Sequence, residues 1–402
     1  MKSILSLLLV GTIATTTIHT YSANAYMGFQ EAKETEAVTV ELGKRYLLQS
    51  GILEEEREIL VHLPKSYDPS DGNTQKYPVI VVLDGDSHFG HATLGSGLLE
   101  ENSRMPEAII VAIPNGRGTR GRDMAREMDK FRNFIGNEVL PFVEAKFPTS
   151  GHKTLFGHSL AGYFTLSVLA DDGDMFDAYV AASPVVQVRN SELLGKFEKI
   201  FSEKAGLTKS LYFTLADEAE EGVRATSALN NMVALFKEKA PENFDWRYDF
   251  IDNQVHMTTP FLTVYQGLSH SFADYQAPRY VTKEEFEKAG GMAGLQAFFE
   301  RRAGKYNTPD TIPSEVMQNT GFLYSSAGDH EGAIKLLAAN LDNHKEDLFA
   351  YHALGRAYGA AELFEDAVKT YEMAVVLAEK QESSDLGFLK RQVERYKKSL
   401  SQ

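Results

Sequence analysis

The segment Thr154-Leu155-Phe156-Gly157-His158-Ser159-Leu160-Ala161-Gly162 carries the most legible chemistry in the chain. A short apolar run leads into a glycine, then a serine, then residues small enough for a strand and a helix to cross closely. A serine held in such a strand-to-helix turn projects its hydroxyl out of the sheet, where it can attack a carbonyl carbon. Ala161 stands where this turn commonly has glycine, but its side chain is small and Gly162 follows. Ser159 could instead cap the helix that begins after it. The apolar strand before it and the small residues after it favour a nucleophile.

A nucleophilic serine needs a general base, and the base needs an acid to hold it. In a strand-turn-helix setting the chain order is serine, acid, histidine. Five histidines follow Ser159: His256, His270, His330, His344 and His352. The last three fall in a repetitive C-terminal stretch, and His270 falls inside a helical run from Phe261 to Phe272. His256 follows the strand-like run Trp246 to Ile251 in a loop, just before the helix start Thr258-Thr259-Pro260, which is where the base belongs. The acid is expected on the loop Asp217-Glu218-Ala219-Glu220-Glu221, after the strand-like run Ser210 to Ala216. Asp217 comes first after the strand and is the expected partner, with Glu221 as the second choice. The other carboxylates suit the first turn of the next helix.

Two backbone N–H groups must face the developing oxyanion. Leu160 supplies one, and the Gly-rich loop from Asp84 to Phe89 supplies the other at Gly85 or Asp86. Arg117, Arg120 and Arg122 cluster after the strand-like run Ala108 to Ile113, near the place where the site should open. Arg120 and Arg122 are candidates to receive an anionic substrate group, the alternative being ion pairs with Asp123 or Glu127. Asp84, Asp86, His88 and His91 could instead be read as metal ligands. Their uneven spacing argues against a metal site, and neither a metal nor an organic cofactor is expected.

The elements that must position these residues are a run of alternating strands and helices. Glu58 to Leu63, Tyr77 to Leu83, Ala108 to Ile113, Lys153 to Phe156, Phe176 to Ala182, Ser210 to Ala216 and Trp246 to Ile251 read as strands. Several are continuous apolar runs, as in parallel strands buried on both faces. Helical patterns lie between them over Lys130 to Phe147, Leu160 to Ala170, Ser191 to Lys204 and Val223 to Lys239. This alternation implies an α/β fold, a mostly parallel sheet with helices on both faces.

A helix from Glu284 to Arg302 and the turn Asn307-Thr308-Pro309-Asp310 follow. Gly321, Tyr324, Ala327, Glu331, Ala333 and Lys335 then recur 34 residues later as Gly355, Tyr358, Ala361, Glu365, Ala367 and Lys369. That spacing and those small and aromatic positions look like the tetratricopeptide repeat, and Leu386 to Leu400 reads as a closing helix. The expected organisation is a signal peptide over residues 1–25, a catalytic domain over 26–274, a linker and helix over 275–310, and a small all-α domain over 311–402. The repeats would recruit a protein partner or pack against the catalytic domain.

The formal charge of −15 leaves no concentrated positive surface for nucleic acid. The chain has no cysteine, so disulfides, thiolate metal sites and a cysteine nucleophile are excluded. Met1-Lys2-Ser3, the apolar run Ile4 to Ile13 and Ala23-Asn24-Ala25 form a leader with a small-residue cleavage site. The mature protein is therefore expected in the periplasm or secreted, with no membrane span.

Together these motifs resemble the esterase D / enterochelin-esterase-like group of serine hydrolases, within the α/β-hydrolase fold. The matching stretches are Glu58-Ile-Leu-Val-His-Leu-Pro64, Tyr77-Pro-Val-Ile-Val-Val-Leu-Asp-Gly85, Arg120-Gly-Arg-Asp123, Gly157-His-Ser-Leu-Ala-Gly162, Phe176 to Pro184, and Val255-His256 with Tyr265-Gln-Gly-Leu268. Where the group often has aromatic residues after Ser-Pro-Ser, this chain has Ser183-Pro184-Val185-Val186. The resemblance implies an exported serine esterase acting on a small-molecule ester, a siderophore-type lactone or a simple acyl ester, through Ser159, His256 and Asp217. A hydrolase-like binding protein, inactive and recruiting a partner through its repeats, is the competing reading.

Overall fold

The computed structural model describes residues 36–70, 75–116, 118–203 and 207–402. The leader expected over residues 1–25 and Arg117 lie outside them. From Leu42 to Gln402 the described chain clusters as one unit.

Among the described residues eight strands form one sheet: β1 (Lys44–Ser50), β2 (Glu55–His62), β3 (Tyr77–Leu83), β4 (Ile109–Ile113), β5 (Thr149–His158), β6 (Ala178–Ala182), β7 (Ser210–Leu215) and β8 (Asp245–Phe250). Their spatial order is β1-β2-β4-β3-β5-β6-β7-β8. β1, β2 and β4 pair antiparallel, and every pair from β4 to β8 is parallel. Every residue of β3, β4 and β6 is buried, which is what their uninterrupted apolar sequences require. The edges read differently. β1 and β8 carry charged residues that leave their outer sides unsuited to further pairing.

Two cores lie on the two faces of the sheet. On one, Val79, Val81 and Leu83 of β3 meet Phe131, Phe134, Phe164 and Phe197. On the other, Ile80 and Val82 of β3, Phe156 of β5 and Tyr212 of β7 meet Ala92, Leu99, Val264, Leu268 and Phe272. The second face is covered by the helices Gly85–Glu101 and Thr259–Ser271. Gly267 lets the latter lie close to the sheet, since a Cβ there would stand 2.4 Å from a methyl of Val180.

The structure differs from the sequence reading in two instructive places. Asp84 to Phe89 is not a loop: Asp84 takes a left-handed conformation (φ 51°) and the helix begins at once, at Gly85. The glycines at 90, 95 and 97 conceal this helix from a propensity argument. The helix expected from Glu284 to Arg302 is two, Lys283–Lys288 and Gly291–Tyr306, because Gly290 breaks the run at φ 101°.

The second of these helices reaches back into the sheet core. Tyr306 is fully buried, its ring 5.5 Å from Phe272 and 5.3 Å from His152, with its hydroxyl donated to Asp274. Beyond it, Ser314–Ser326 with His330–Asn343, and Leu348–Ala360 with Phe364–Lys380, form two helical hairpins, followed by Leu386–Leu400. Gly321 and Gly355 sit at matching crossings. A Cβ would stand 2.6 Å from Leu337 at the first and 2.5 Å from the Tyr371 ring at the second. No helix among the described residues is long and apolar enough to cross a membrane.

Tyr306→Ala should therefore cost roughly 3–5 kcal/mol of stability, as for other large buried aromatics. Tyr306→Phe should cost about 1 kcal/mol for the lost hydrogen bond. Urea unfolding of both variants checks this, and an alanine cost below about 1 kcal/mol would separate Tyr306 from the core.

Candidate active site

β5 ends at His158 and the helix Leu160–Asp172 begins two residues later, leaving Ser159 alone in the turn. Ser159 holds φ 59° and ψ −115°, a region that serine rarely occupies and that costs on the order of 1–3 kcal/mol. Three backbone bonds enforce it. Ser159 N–H donates to Ala182 O (2.9 Å), while Ser159 O accepts from Tyr163 N–H (3.0 Å) and Val185 N–H (3.2 Å). Gly157 is obligatory, because a Cβ there would stand 2.3 Å from the Ala161 carbonyl oxygen. Gly162 has its own close neighbours, the carbonyls of Ala182 and Gly157 at 3.2 Å. Ala161 itself is fully buried in the crossing. The first N–H groups of the helix, Leu160's among them, have no intrahelical acceptor.

His256 lies between β8 and the helix Thr259–Ser271. Its carbonyl accepts from His158 Nε2–H (2.9 Å) and from the Thr259 hydroxyl (3.1 Å), which ties the histidine loop to the residue before Ser159. Its Nδ1–H donates to Glu221 Oε2 at 2.8 Å.

That contact overturns the expectation for Asp217. Asp217 opens a single helical turn, Glu218–Glu221, and its backbone carbonyl accepts from Glu220 N–H and Glu221 N–H at 2.9 Å each. One turn returns the fourth residue towards the strand end, so the Glu221 carboxylate comes under β7 with its side chain only 5% exposed. Gly222, at φ 82°, then starts a separate helix, so Glu221 does not face outward as the first residue of that next helix. Burial works against the Glu221 charge. Hydrogen bonds from His256, Ser183 and Ala216 N–H outweigh burial and hold its pKa below the usual carboxylate range.

On the other side of Ser159, Gly85 passes so close to β4 that a Cβ would stand 2.9 Å from the backbone of Ile113 and Pro114. The adjacent Asp84 is buried and grips Arg120 through two bonds, Nε to Oδ1 (2.7 Å) and Nη2 to Oδ2 (2.8 Å). Arg120 Nη2 also donates to His158 O at 3.2 Å. Arg120 thus clamps the end of β3 to the end of β5, the two strands that carry Gly85 and Ser159. Arg122 is likewise committed, to Asp123 (2.7 Å) and to both oxygens of Glu55 (2.6 and 3.1 Å). Its bonds, followed by those of Arg57, hold the Glu55 pKa at about 2. Neither arginine is the free anion receptor expected from the sequence, because nearby carboxylates already occupy both forks.

Three further histidines form a feature that sequence reasoning missed. The rings of His91, His88, His158 and His256 follow one another at centroid distances of 5.0, 5.4 and 4.7 Å. Burial, then the neighbouring rings, pushes His88 and His158 down to about 4. Both are thus neutral near pH 7 and place no extra positive charge beside His256. Among the described residues no group of three or more His, Asp or Glu is arranged to hold a metal ion.

The sequence profile of the Esterase family, described as a putative esterase, matches residues 50–251, half of the chain. The chain belongs to this family. The match contains Ser159, Gly85 and Glu221 and ends five residues before His256. Over 80 residues the chain is 41% identical to the siderophore enterobactin esterase of Emericella nidulans, covering 19% of this chain and 26% of that protein. Over 173 residues it is 29% identical to the ferri-bacillibactin esterase BesA of Bacillus subtilis, covering 36% of this chain and 58% of that one. The chain thus spans only a quarter to three-fifths of the length of these relatives. An IroE-like serine hydrolase from Shewanella oneidensis shares the fold with a TM-score of 0.58 at 19% identity, covering 75% of this chain and 99% of that one. An uncharacterised protein from Capnocytophaga ochracea does so with a TM-score of 0.58 at 18% identity, over 88% of this chain and 99% of that one.

The buried histidines set a pH dependence. Their pKa falls from an ordinary 6.5 in the unfolded chain to about 4 in the fold. Between those values the unfolded state binds more protons, so stability decreases as pH falls from 6.5 towards 4. His88→Gln should flatten that slope by about 1.4 kcal/mol per pH unit, one proton's worth. Urea unfolding at pH 6.5, 5.5 and 4.5 measures it, and an unchanged slope would show that His88 does not titrate in this way.

Proposed function

We propose that the protein hydrolyses a carboxylic ester through an acyl-enzyme, with Ser159 as nucleophile, His256 as general base and Glu221 as the acid that holds it. The contact of His256 Nδ1 with the ionised Glu221 carboxylate carries this reading, because it leaves Nε2 as the proton acceptor. Ser159 Oγ attacks the ester carbonyl and its proton passes to Nε2. Glu221 stabilises the imidazolium that results. The oxyanion is received by the N–H of Leu160 and an N–H at Gly85 or Asp86, each at the start of a helix where these donors are unpaired. The tetrahedral intermediate collapses, Nε2 donates its proton to the leaving alcohol, and the acyl group remains on Ser159. Water then attacks the acyl-enzyme, giving its proton to Nε2. Collapse returns that proton to Ser159 and releases the acid.

A siderophore-type lactone or related acyl ester is the substrate class favoured by the activities of the named relatives. The apolar side chains beside His256 suit it: Val255, Met257 and Phe261 are 40%, 71% and 57% exposed, and Phe261 lies edge-on to His91. The leader over residues 1–25 supports export to the periplasm or beyond, with cleavage after Ala25. The C-terminal hairpins, tetratricopeptide-like in their 34-residue spacing, would form a helical domain distinct from a catalytic unit that runs through Tyr306.

Ser159→Ala should lower turnover by a factor on the order of 10⁶. Glu221→Gln should lower it by roughly 10²–10⁴, since an amide cannot stabilise the imidazolium. Asp217→Asn should stay within about tenfold of the parent, because its side chain makes no bond to the base. Turnover of one chromogenic ester by each folded variant tests the set. A serine variant with a tenth of the parent activity sinks the nucleophile, and a crippled Asp217→Asn returns the acid role to Asp217.

A further inference from the structure

The strap Tyr275 to Val281 and the helices Gly291–Tyr306 and Ser314–Ser326 border a cleft of about 590 Å³. No residue of the candidate active site lines it. Its charge sets it apart. Arg104, Arg279 and Arg302 line it against a single carboxylate among the described lining residues, Glu315, in a chain of formal charge −15. Among the described residues none of the three guanidinium groups has an ion-pair partner.

Arg302 is the decisive group. It is only 8% exposed, and its Nε is buried with no hydrogen-bond partner. Its Cζ lies 4.5 Å from the Tyr275 ring centroid and 4.2 Å from that of Phe299. Ring faces attract the cation but leave its in-plane N–H donors unsatisfied. Burial pulls its pKa below the usual guanidinium value, with Tyr275 opposing the shift. Elsewhere the chain treats a buried arginine differently: Arg57, 3% exposed, is paired with both Asp123 (2.7 Å) and Glu55 (3.0 Å). An arginine packed over two aromatic rings, lining a cleft and with no carboxylate partner among the described residues, is a receptor short of its anion.

The cleft has the size of a small-molecule site, within the usual range of roughly 300–1,000 Å³. Tyr275, Tyr280 and Phe322 give it aromatic walls. We propose that it binds a small aromatic carboxylate, whose carboxylate pairs with Arg302, Arg104 and Arg279 and whose ring lies against those walls.

Titrating the full chain with 4-fluorobenzoate, followed by its fluorine resonance, tests this. One site per chain is expected, with 4-fluorobenzyl alcohol binding at least tenfold more weakly. Arg302→Met, which keeps the chain length and loses the charge, should weaken 4-fluorobenzoate at least tenfold. Arg104 is half-buried and Arg279 exposed, so the Arg104→Gln/Arg279→Gln double variant spares the core and should weaken binding at least threefold. Equal binding of acid and alcohol, or unchanged affinity in the double variant, overturns the proposal. So does displacement by inorganic phosphate at the same concentration as by benzoate, which would make free phosphate the ligand.

Discussion

The crossing of β5 with the helix Leu160–Asp172 is the constraint on which the rest of the site depends. Two backbones meet there at a distance that no side chain tolerates, with the Ala161 carbonyl against Gly157. The serine between them is forced to φ 59°, and the carbonyl of Ala182 and the amide of Val185 hold it there. That strain is sustained by Ala182 at the end of β6 and Val185 just beyond it, beside the buried C-terminal half of β5. The sheet therefore does more than support the turn, since its adjacent strand ends supply the partners that make an unfavourable serine conformation the stable one.

Charge is handled around this turn by commitment rather than by abundance. Arg120 is spent on Asp84 and the His158 carbonyl, and Arg122 on Asp123 and Glu55. These pairs lock three strand ends together. The histidines packed against His256 are kept uncharged by burial, while Glu221 keeps its charge despite burial because three donors converge on it. His256 thus lies between one ionised carboxylate and rings that carry no charge near pH 7.

The C-terminal third is joined to the sheet by Tyr306, which fills the second core beneath His152 and Phe272. The segment between the α/β region and the helical hairpins is thus a packed layer, and the cleft of three arginines lies along it. A hinge-like linker would have no reason to bury an aromatic residue completely or to hold Arg302 against two rings.

The α/β alternation, Ser159 in its small-residue turn, His256 in the loop after the last strand and the 34-residue recurrence were all legible in the sequence, because each is local. Strands buried on both faces must be apolar throughout, a tight crossing must have glycine, and a repeated hairpin must repeat its small positions. The acid was different. Asp217 and Glu221 are four residues apart on one acidic stretch, and proximity to the strand did not single out the one that contacts His256. A single helical turn ended by Gly222 directs Glu221 inward, where Ser183, just past the end of β6, and His256, from beyond β8, reach it. The fate of the arginines was hidden for the same reason: Glu55 and Asp84 are 67 and 36 positions from Arg122 and Arg120. Residue type and local spacing determined which groups could act, and tertiary structure alone decided which of them meet, because a hydrogen bond or ion pair depends on a separation of about 3 Å that sequence distance does not encode.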